Sequence, residues 1–459
     1  MIRFWVSLIV FTGLASAAEQ ADWIYTARYV VTMDAQRRVI ENGALAIRAD
    51  KILEVGSAAD IAQKYTARQR LDRPNALILP GLINTHTHAP MSLFRGLADD
   101  LRLQEWLEKY IFPAEAKNVD PEFVKWGTRL ACLEMMLSGT TTYVDMYFFE
   151  AVIAEITKEA GLRGVLGETI IGFKDPDSAT PADGLKYAEK FIQRFKNDPL
   201  IVPAVAPHAL YTNSDETLMG SRALANRYGV PLVIHLSETR KENDDTRAKR
   251  HMSPTQVLDS LGVLNGITVA AHGVWLDDAD IAILKRHGTG IAHNPSSNMK
   301  LASGIAPVVK LLNAGVPVGL GTDGPAGSNN DFDLMEEMNL AANLQKVAAL
   351  DPQVLPAQQA VEMATILGAR VAGLDKITGS LEAGKRADLI TLRLDRPHAV
   401  PMYKVYSQIV YALKGSDVQD VMVNGKPLVR DGRSLTLNEA EIVRKAVEYG
   451  VRVSRSLGR

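Results

Sequence analysis

Six histidines and one aspartate stand at the ends of short apolar runs in this chain of 459 residues. His86 and His88 are two residues apart, so in a strand both imidazoles lie on one face. The others end separate runs further along: His208, His235, His272, His293 and Asp323. Three imidazoles and a carboxylate suit Zn²⁺ or Fe²⁺, with water completing the shell. The pattern predicts one divalent metal ion, most readily zinc, which makes water nucleophilic near neutral pH.

Glu238 is the candidate for moving protons beside such a metal. It lies three residues beyond His235, so in a continuing strand the two side chains would face opposite sides. We therefore expect Glu238 on the loop after the strand, reaching back over the metal. A carboxylate there can carry a proton to a leaving group, whereas the alternative is a solvated loop acid.

Other catalytic motifs are absent or misplaced. Residues 319–324 match GxGxxG by letter, but they end an apolar run and contain Asp323, which argues against a dinucleotide site. The chain has no HExxH and no GxSxG. Its single cysteine, Cys132, excludes an internal disulfide, a CxxC site and the zinc signature of cytidine-type deaminases.

Eight runs of β-forming residues alternate with amphipathic stretches, and the polar side chains end these runs. Most runs are almost continuously apolar, as expected of parallel strands buried on both faces. Eight βα units predict a (β/α)8 TIM barrel, whose catalytic residues come from strand ends; an open doubly wound sheet is the alternative. The predicted strands are Leu77–His88, Thr140–Met146, Arg163–Ile171, Ile201–His208, Pro231–Glu238, Ile267–Gly273, Gly288–Pro295 and Pro317–Asp323.

The segments outside the barrel predict a second, smaller unit. Residues 89–139 are too long for an ordinary βα link and predict extra helices over the barrel mouth. Strand-like patterns on both flanks predict a small β-sandwich domain built from the two ends, and Thr436–Glu439 resembles a capping box that opens a final helix. The predicted boundaries are a signal peptide at 1–17, the β domain at 18–76 and 377–435, the barrel at 77–376 and the helix at 436–459.

The composition and the first residues of the chain indicate the class of protein and its cellular location. Hydrophobic residues make up 47% of the chain and charged residues 23%, which is ordinary for a globular protein. The net charge of −2 provides no case for nucleic-acid binding. Arg3, an apolar run and Ala15-Ser-Ala17 form a secretory signal pattern, with a buried first strand as the alternative. We expect an exported, periplasmic or secreted enzyme with no membrane anchor after cleavage; a homo-oligomer is left open.

Four motifs and the C-terminal tail resemble the amidohydrolase superfamily, in particular 5-methylthioadenosine/S-adenosylhomocysteine deaminases and related chlorohydrolases. The resemblance covers nearly all of the chain after the signal. The metal and strand-end motifs are specific for the superfamily and less so for the substrate. They are Pro80-Gly-Leu-Ile-Asn-Thr-His-Thr-His88, His235-Leu-Ser-Glu238, His293-Asn-Pro-Ser-Ser-Asn298, Gly321-Thr-Asp-Gly324 and the tail Gly379–Asp388.

The resemblance implies a role for each matching residue. His86, His88, His235 and Asp323 would bind one metal ion, and Asp323 would also accept a proton from water. Glu238 would move a proton to the ring nitrogen, and His272 would hold the attacking water. The implied reaction is hydrolytic deamination at adenine C6, which releases ammonia and leaves an inosine-type product.

Substrate recognition is less firmly implied. Glu115 matches the acid that binds ribose hydroxyls and His208 a histidine near the purine, with Trp106, Ser297, Asn298 and Leu301 as further candidates for the pocket wall. Glu168 stands where some relatives have an arginine thought to meet the substrate's tail carboxylate, so recognition of homocysteine is in doubt. Residues 325–327 also add one residue after Asp323 relative to the commoner pattern. Hydrolysis of a triazine, pterin or guanine-like ring, or a non-catalytic barrel, are the alternatives.

Overall fold

The computed structural model describes residues 18–458, so the predicted signal peptide lies outside the described part of the chain. The strands are β1 Glu19–Val31, β2 Val39–Arg48, β3 Lys51–Ser57, β4 Tyr65–Pro80, β5 Leu82–Thr87, β6 Thr140–Tyr147, β7 Arg163–Ile170, β8 Ile201–Pro207, β9 Leu232–Leu236, β10 Thr268–His272, β11 Gly290–His293, β12 Val318–Leu320, β13 Leu389–Arg393, β14 Val418–Val423, β15 Lys426–Arg430 and β16 Arg433–Ser434.

Helices fill most of the remaining chain, and none in the described part has the length and apolarity of a membrane span. They are α1 Ala58–Lys64, α2 Leu103–Trp106, α3 Phe112–Asn118, α4 Pro121–Leu137, α5 Glu150–Ala160, α6 Pro181–Phe195, α7 Asp215–Tyr228, α8 Arg240–Arg250, α9 Pro254–Ser260, α10 Asp278–His287, α11 Pro295–Lys300, α12 Val308–Ala314, α13 Leu334–Ala349, α14 Ala357–Ala364, α15 Ile366–Val371, α16 Val405–Tyr411 and α17 Glu439–Ser456.

Strands β5 to β12 close into a barrel in which each strand pairs with its neighbours in the chain, and β12 pairs with β5. The pairing is parallel all the way round. Every residue of β6 and of β7 is buried, as expected of parallel strands covered on both faces, although both strands include polar residues such as Asp145 and Glu168. The predicted TIM barrel is confirmed.

The first predicted strand is divided between two sheets. Residues 77–80 belong to β4, where Leu77 pairs with Tyr29 and Leu392, and the barrel strand β5 starts only at Leu82. Gly81 lies between them, and a Cβ atom there would lie 2.1 Å from Thr141 Oγ1. Both segments are buried, so no polar residue marks the division and the prediction of one continuous strand was wrong.

The two ends of the chain form a second sheet, as predicted. Its strand order is β16-β15-β14-β13-β4-β1-β2-β3, and β4 joins the N-terminal strands to the C-terminal ones. β4 pairs parallel to β1 and antiparallel to β13. The strands of the expected sandwich are thus hydrogen-bonded into one continuous mixed sheet.

The insert between β5 and β6 carries short helices and the long α4, as the 89–139 gap predicted. At the other end of the chain, α17 begins at Glu439, and its N-cap is Asn438, whose side chain accepts a hydrogen bond from the Glu441 backbone. The predicted capping role of Thr436 was wrong: its hydroxyl donates to the Ala160 carbonyl.

Candidate metal centre and active site

Four histidines meet at the carboxyl ends of the barrel strands. His86 is in β5, His88 follows it, and His235 and His272 are in β9 and β10. The His86 ring centroid lies 4.9 Å from that of His88, 4.9 Å from that of His235 and 5.4 Å from that of His272. The Nε2 atoms of His88 and His235 are 3.4 Å apart. Side chains 147 residues apart in the chain are thus brought together by barrel closure.

Asp323 closes this cluster from the end of β12. Its Oδ1 atom lies 3.5 Å from His86 Nε2 and 3.4 Å from His88 Nε2. Its Oδ2 atom accepts a hydrogen bond of 2.7 Å from the Ser297 hydroxyl. Burial would raise the pKa of Asp323, but the adjacent imidazoles of His86 and His88 hold it well below its usual range. The carboxylate is therefore ionised and faces the imidazoles.

The donor atoms fit a metal ion. His86 is fully buried, and neither of its ring nitrogens makes a hydrogen bond within residues 18–458. His88 Nδ1 is 2.7 Å from the Met146 carbonyl and His235 Nδ1 is 2.8 Å from the His208 carbonyl. These contacts place the protons on Nδ1 and leave the Nε2 lone pairs directed inward, as in metal-binding histidines.

Two overlapping groups of side chains offer ligand atoms within 4.8 Å of one another. They are His86 with His235 and His272, and His86 with His88 and Asp323. The predicted ligands therefore lie together, and His272 lies beside them. Burial lowers the pKa of His86 to about 4 and that of His235 well below its usual value, so both imidazoles are neutral. Neutral imidazole is the form that binds metals.

Glu238 lies on the turn after β9, as its spacing from His235 predicted. Its Oε2 atom is 3.9 Å from His272 Nε2, which is 4.0 Å from Asp323 Oδ2. Burial raises the pKa of Glu238 above its usual value. A raised pKa favours the protonated form of a buried carboxyl, from which it can donate a proton as a general acid.

Backbone geometry and neighbouring side chains fix the orientation of Glu238, His272 and Asp323. Ser237, His272 and Asp323 have φ angles of 50°, 75° and 63°, in the left-handed region that residues other than glycine rarely adopt. His272 Nδ1 lies 3.0 Å from Asn298 Oδ1, and Nε2 faces the centre. Glu242 accepts hydrogen bonds from the backbone of Ser237 and Glu238, at 3.2 and 2.8 Å.

A cavity of about 620 Å³, including its open mouth, lies over the centre. Glu115 of α3 and His208 both line it, and so do Trp106 and Leu301. Burial raises the pKa of Glu115 to about 7, and it lowers that of His208 to about 3. The structure thus brings the predicted substrate-binding residues to the same cavity as Glu238.

Three of the remaining candidates lie elsewhere. Ser297 and Asn298 support Asp323 and His272 from α11 and do not line the cavity. Glu168 does not line it either: its carboxylate accepts a 3.1 Å hydrogen bond from the Glu150 backbone at the start of α5. The buried Glu168 is therefore not placed to meet a substrate tail.

Sequence reasoning missed three supporting residues. Asp145, near the end of β6, accepts hydrogen bonds from the Thr87 hydroxyl and the Ala89 backbone; its place at a strand end was the same signal that selected the histidines. Tyr147 ends the same strand and donates to Glu115, whereas Glu242 lies in α8 and carried no such signal. Their roles depend on contacts between separate loops and helices.

Comparison with known proteins finds a matching family and similar deaminases. Residues 77–428 match the Amidohydrolase family. The chain is 48% identical over 96% of its length to 5-methylthioadenosine/S-adenosylhomocysteine deaminase 1 of Syntrophus aciditrophicus, covering 99% of that protein. It is 42% identical over 93% of its length to 5'-deoxyadenosine deaminase of Methanosarcina mazei, covering 97% of that protein.

A solved structure agrees with these matches. An adenosine deaminase from Xanthomonas campestris with bound zinc superimposes with a TM-score of 0.94 and is 37% identical. The match covers 96% of this chain and 100% of that chain. With this fold, this metal centre and these relatives, the chain belongs to the amidohydrolase family.

Proposed function

We propose that the protein is a metal-dependent hydrolytic deaminase of adenosine-type nucleosides: S-adenosylhomocysteine, 5-methylthioadenosine or adenosine. The observation that carries the proposal is one cavity with Glu238 and His272 beside the metal ligands and the carboxylate of Glu115 on its wall. Glu238 and His272 suit hydrolysis of an aminated ring, and the carboxylate of Glu115 suits the hydroxyls of a sugar. The names of the two deaminase relatives support the same substrate class.

The chain's own residues divide the proton transfers. A divalent ion bound by His86, His88, His235 and Asp323 would acidify water and stabilise negative charge. Asp323 accepts a proton from the attacking water, and His272 holds that water through Nε2. Glu238 donates a proton to the ring nitrogen as the C6–O bond forms. Asp323 then passes its proton to the amino group, the C6–N bond breaks and ammonia leaves. The proton of the former water hydroxyl returns to Glu238 as the C6 carbonyl forms.

The alternative is hydrolysis of another N-heterocycle by an aminohydrolase or chlorohydrolase. A free triazine, pterin or guanine-like ring has no ribose diol for Glu115 to bind, so the position of Glu115 in the cavity favours a nucleoside. The purified protein is to be assayed for ammonia release from adenosine, methylthioadenosine, S-adenosylhomocysteine, guanine and triazines. Turnover of free rings without turnover of any adenosine-type nucleoside would overturn the proposal.

The metal is proposed to be zinc, with iron as the alternative. Three imidazoles and one carboxylate suit either ion, and the Xanthomonas campestris adenosine deaminase binds zinc. Elemental analysis of the protein as isolated, followed by chelation and reconstitution with each metal, tests this assignment. Activity that returns with iron and not with zinc would contradict it.

Export is proposed from the sequence of residues 1–17, which carry the signal-peptide pattern and lie outside the described residues. Cell fractionation with N-terminal sequencing of the isolated protein tests it. A mature N-terminus near Ala18 in the exported fraction is expected. Uncleaved protein confined to the cytosol would refute export.

A homo-oligomer is also proposed, with a second copy packed along α17. Val443, Val447 and Val451 lie one turn apart on this helix and are 55%, 65% and 47% exposed. The helix begins with Glu439 and Glu441 and carries Arg455 in its last turn, so an antiparallel copy would pair opposite charges. Sedimentation velocity should show a dimer or larger species that Val447→Glu converts to monomer; a monomeric wild type would contradict the proposal.

A further inference from the structure

Tyr147 makes a contact that ties the cavity wall to the barrel. It is the last residue of β6, is 3% exposed, and donates a hydrogen bond of 2.7 Å from its hydroxyl to Glu115 Oε1. Its own backbone N–H donates to Glu150 Oε1 at 3.2 Å. Both Tyr147 and Glu115 line the cavity over the metal centre. The tyrosine therefore links the inserted helix α3 to a fixed point on the barrel rim.

The contact leaves one oxygen of Glu115 available. Within residues 18–458 no side chain or backbone N–H donates to Oε2, while Oε1 is occupied by Tyr147. Burial and the adjacent Glu115 raise the pKa of Tyr147 well above its usual value, so the phenol stays protonated and acts as the donor. The hydrogen bond from Tyr147 opposes the effect of burial on Glu115 and favours its carboxylate.

We propose that Tyr147 is a positioning residue for sugar recognition: it fixes the carboxylate of Glu115 so that Oε2 accepts hydrogen bonds from the vicinal hydroxyls of a ribose. The inference rests on the proposed function. A carboxylate held in place before the substrate arrives loses less conformational freedom on binding than one that rotates freely. Tyr147 thereby contributes to selection of a ribonucleoside over its deoxy analogues, without touching the reacting ring.

The test compares KM and kcat for adenosine and 2',3'-dideoxyadenosine in wild type, Tyr147→Phe, Glu115→Gln and the double variant. Loss of one hydrogen bond to a carboxylate should raise KM for adenosine about 10-fold or more in Tyr147→Phe. The kcat for adenosine and the KM for the dideoxynucleoside should remain near wild type. The double variant should show a KM no higher than that of Glu115→Gln, because the two side chains act as one unit.

Tyr143→Phe is the matched control. Tyr143 is a buried tyrosine of the same strand whose hydroxyl contacts Thr157, away from the cavity. Tyr143→Phe should lose about as much thermal stability as Tyr147→Phe. Its KM values for adenosine and for 2',3'-dideoxyadenosine should stay at the wild-type level. If Tyr147→Phe proves insoluble, Tyr147→His, which keeps a ring and a donor, takes its place; it should keep more of the preference for adenosine over the dideoxynucleoside than Glu115→Gln does.

The outcomes separate this inference from the function on which it rests. An equal rise of KM for both substrates, or additive effects in the double variant, would refute the role of Tyr147 while leaving the deaminase intact. A fall in kcat with KM unchanged would refute it too. A wild type that releases no ammonia from any adenosine-type nucleoside would instead refute the proposed function.

Discussion

Asp323 and Glu238 are carboxylates of one buried centre with opposite shifts in pKa. For Asp323 the adjacent imidazoles of His86 and His88 outweigh burial, lower the pKa and keep the carboxylate ionised. For Glu238 burial dominates and raises the pKa. Groups whose pKa values are pushed apart in this way divide the roles of base and acid, which supports the proton transfers proposed above.

Glu238→Gln keeps the size of the side chain and removes its transferable proton. We expect kcat for deamination to fall about 10²–10⁴-fold, the contribution typical of a general acid–base. Metal content should stay at the wild-type level, because Glu238 is not among the ligand groups. Steady-state kinetics and elemental analysis measure both. Glu216→Gln, an exposed first-turn acid of α7, is the control, and full activity in Glu238→Gln would contradict the assigned role.

Single residues were predictable where the chain topology alone determines their position. Residues at the ends of parallel barrel strands must meet at one rim, so His86, His235 and Asp323 could be brought together from sequence. Tyr147 could not be paired with Glu115 in the same way. Their contact depends on how α3 lies over the barrel, which no periodicity in residues 89–139 specifies.

At the scale of the element, the start of α5 is held by two carboxyl groups, of which Glu168 is buried. Glu168 Oε2 accepts a hydrogen bond from the Glu150 N–H at 3.1 Å, and Asp177 Oδ2 accepts one from the Phe149 N–H at 2.5 Å. Acceptors at a helix N-terminus satisfy N–H groups that have no partner within the helix. Burial, with Asp177 nearby, raises the pKa of Glu168 well above its usual value.

Replacing Glu168 by Gln should alter how stability depends on pH. Because the folded pKa is raised, the stability due to Glu168 is present below its unfolded pKa of about 4.3 and is lost as pH rises through the folded pKa. Gln stays neutral, accepts from Glu150 and can donate to Asp177. We expect Tm at pH 8 to rise by about 1–3 °C, with the gain shrinking towards pH 5.

Thermal denaturation across that pH range tests the effect of Glu168→Gln. Glu41→Gln, an exposed position on β2, provides the control and should leave the Tm profile unchanged. A Tm for Glu168→Gln that falls below wild type at pH 8 would show that Glu168 is ionised and that its charge stabilises the helix start.

Gly81 allows the chain to pass from the mixed sheet into the barrel. A Cβ atom there would lie 2.1 Å from Thr141 Oγ1 and 2.2 Å from its Cγ2. Gly81→Ala should therefore destabilise the protein by about 1–3 kcal/mol through overpacking, measured by urea unfolding. Gly450→Ala in α17 is the matched control, since nothing lies within 4 Å of its Cβ position. An unchanged midpoint in Gly81→Ala would contradict the close packing of Gly81 against Thr141.

Strands and helices could be predicted where the pattern of apolar and polar residues changes along the chain. The barrel strands stand out because apolar runs alternate with amphipathic helices such as α7. The division at Gly81 could not be seen, since β4 and β5 are both buried there. The continuity of the second sheet also could not be predicted, because it depends on the pairing of β4 with β13, about 310 residues later.

At the scale of the whole molecule, one buried ion pair joins the barrel to the mixed sheet. Arg163 of β7 contacts Asp388 with an Nη2–Oδ2 distance of 3.1 Å, and both side chains are almost fully buried. Asp388 also accepts a 2.6 Å hydrogen bond from the Asn424 backbone. The carboxylate thus connects the first residue of a barrel strand to the strands formed last in the chain.

Asp388→Ala would leave the Arg163 charge buried without a partner. We expect a loss of about 3–5 kcal/mol in the free energy of unfolding, as for other broken buried pairs. Asp395→Ala, which breaks the exposed pair with Arg393, is the control and should cost about 1 kcal/mol or less. Guanidinium unfolding measures both, and equal losses in the two variants would contradict a special role for the buried pair.

The position of β4 at the centre of the mixed sheet has a consequence for folding during synthesis. A chain made from its N-terminus can pair β1, β2, β3 and β4 early, but the other edge of β4 waits for β13, which begins at Leu389. For about 300 residues of translation this edge stays open to pairing with other chains. At roughly 5–20 residues per second, that interval lasts on the order of 15–60 s for each new molecule. Nascent chains are therefore most exposed to edge-to-edge aggregation while the barrel is being made, and a chaperone that binds the emerging barrel would also shield the unfinished sheet.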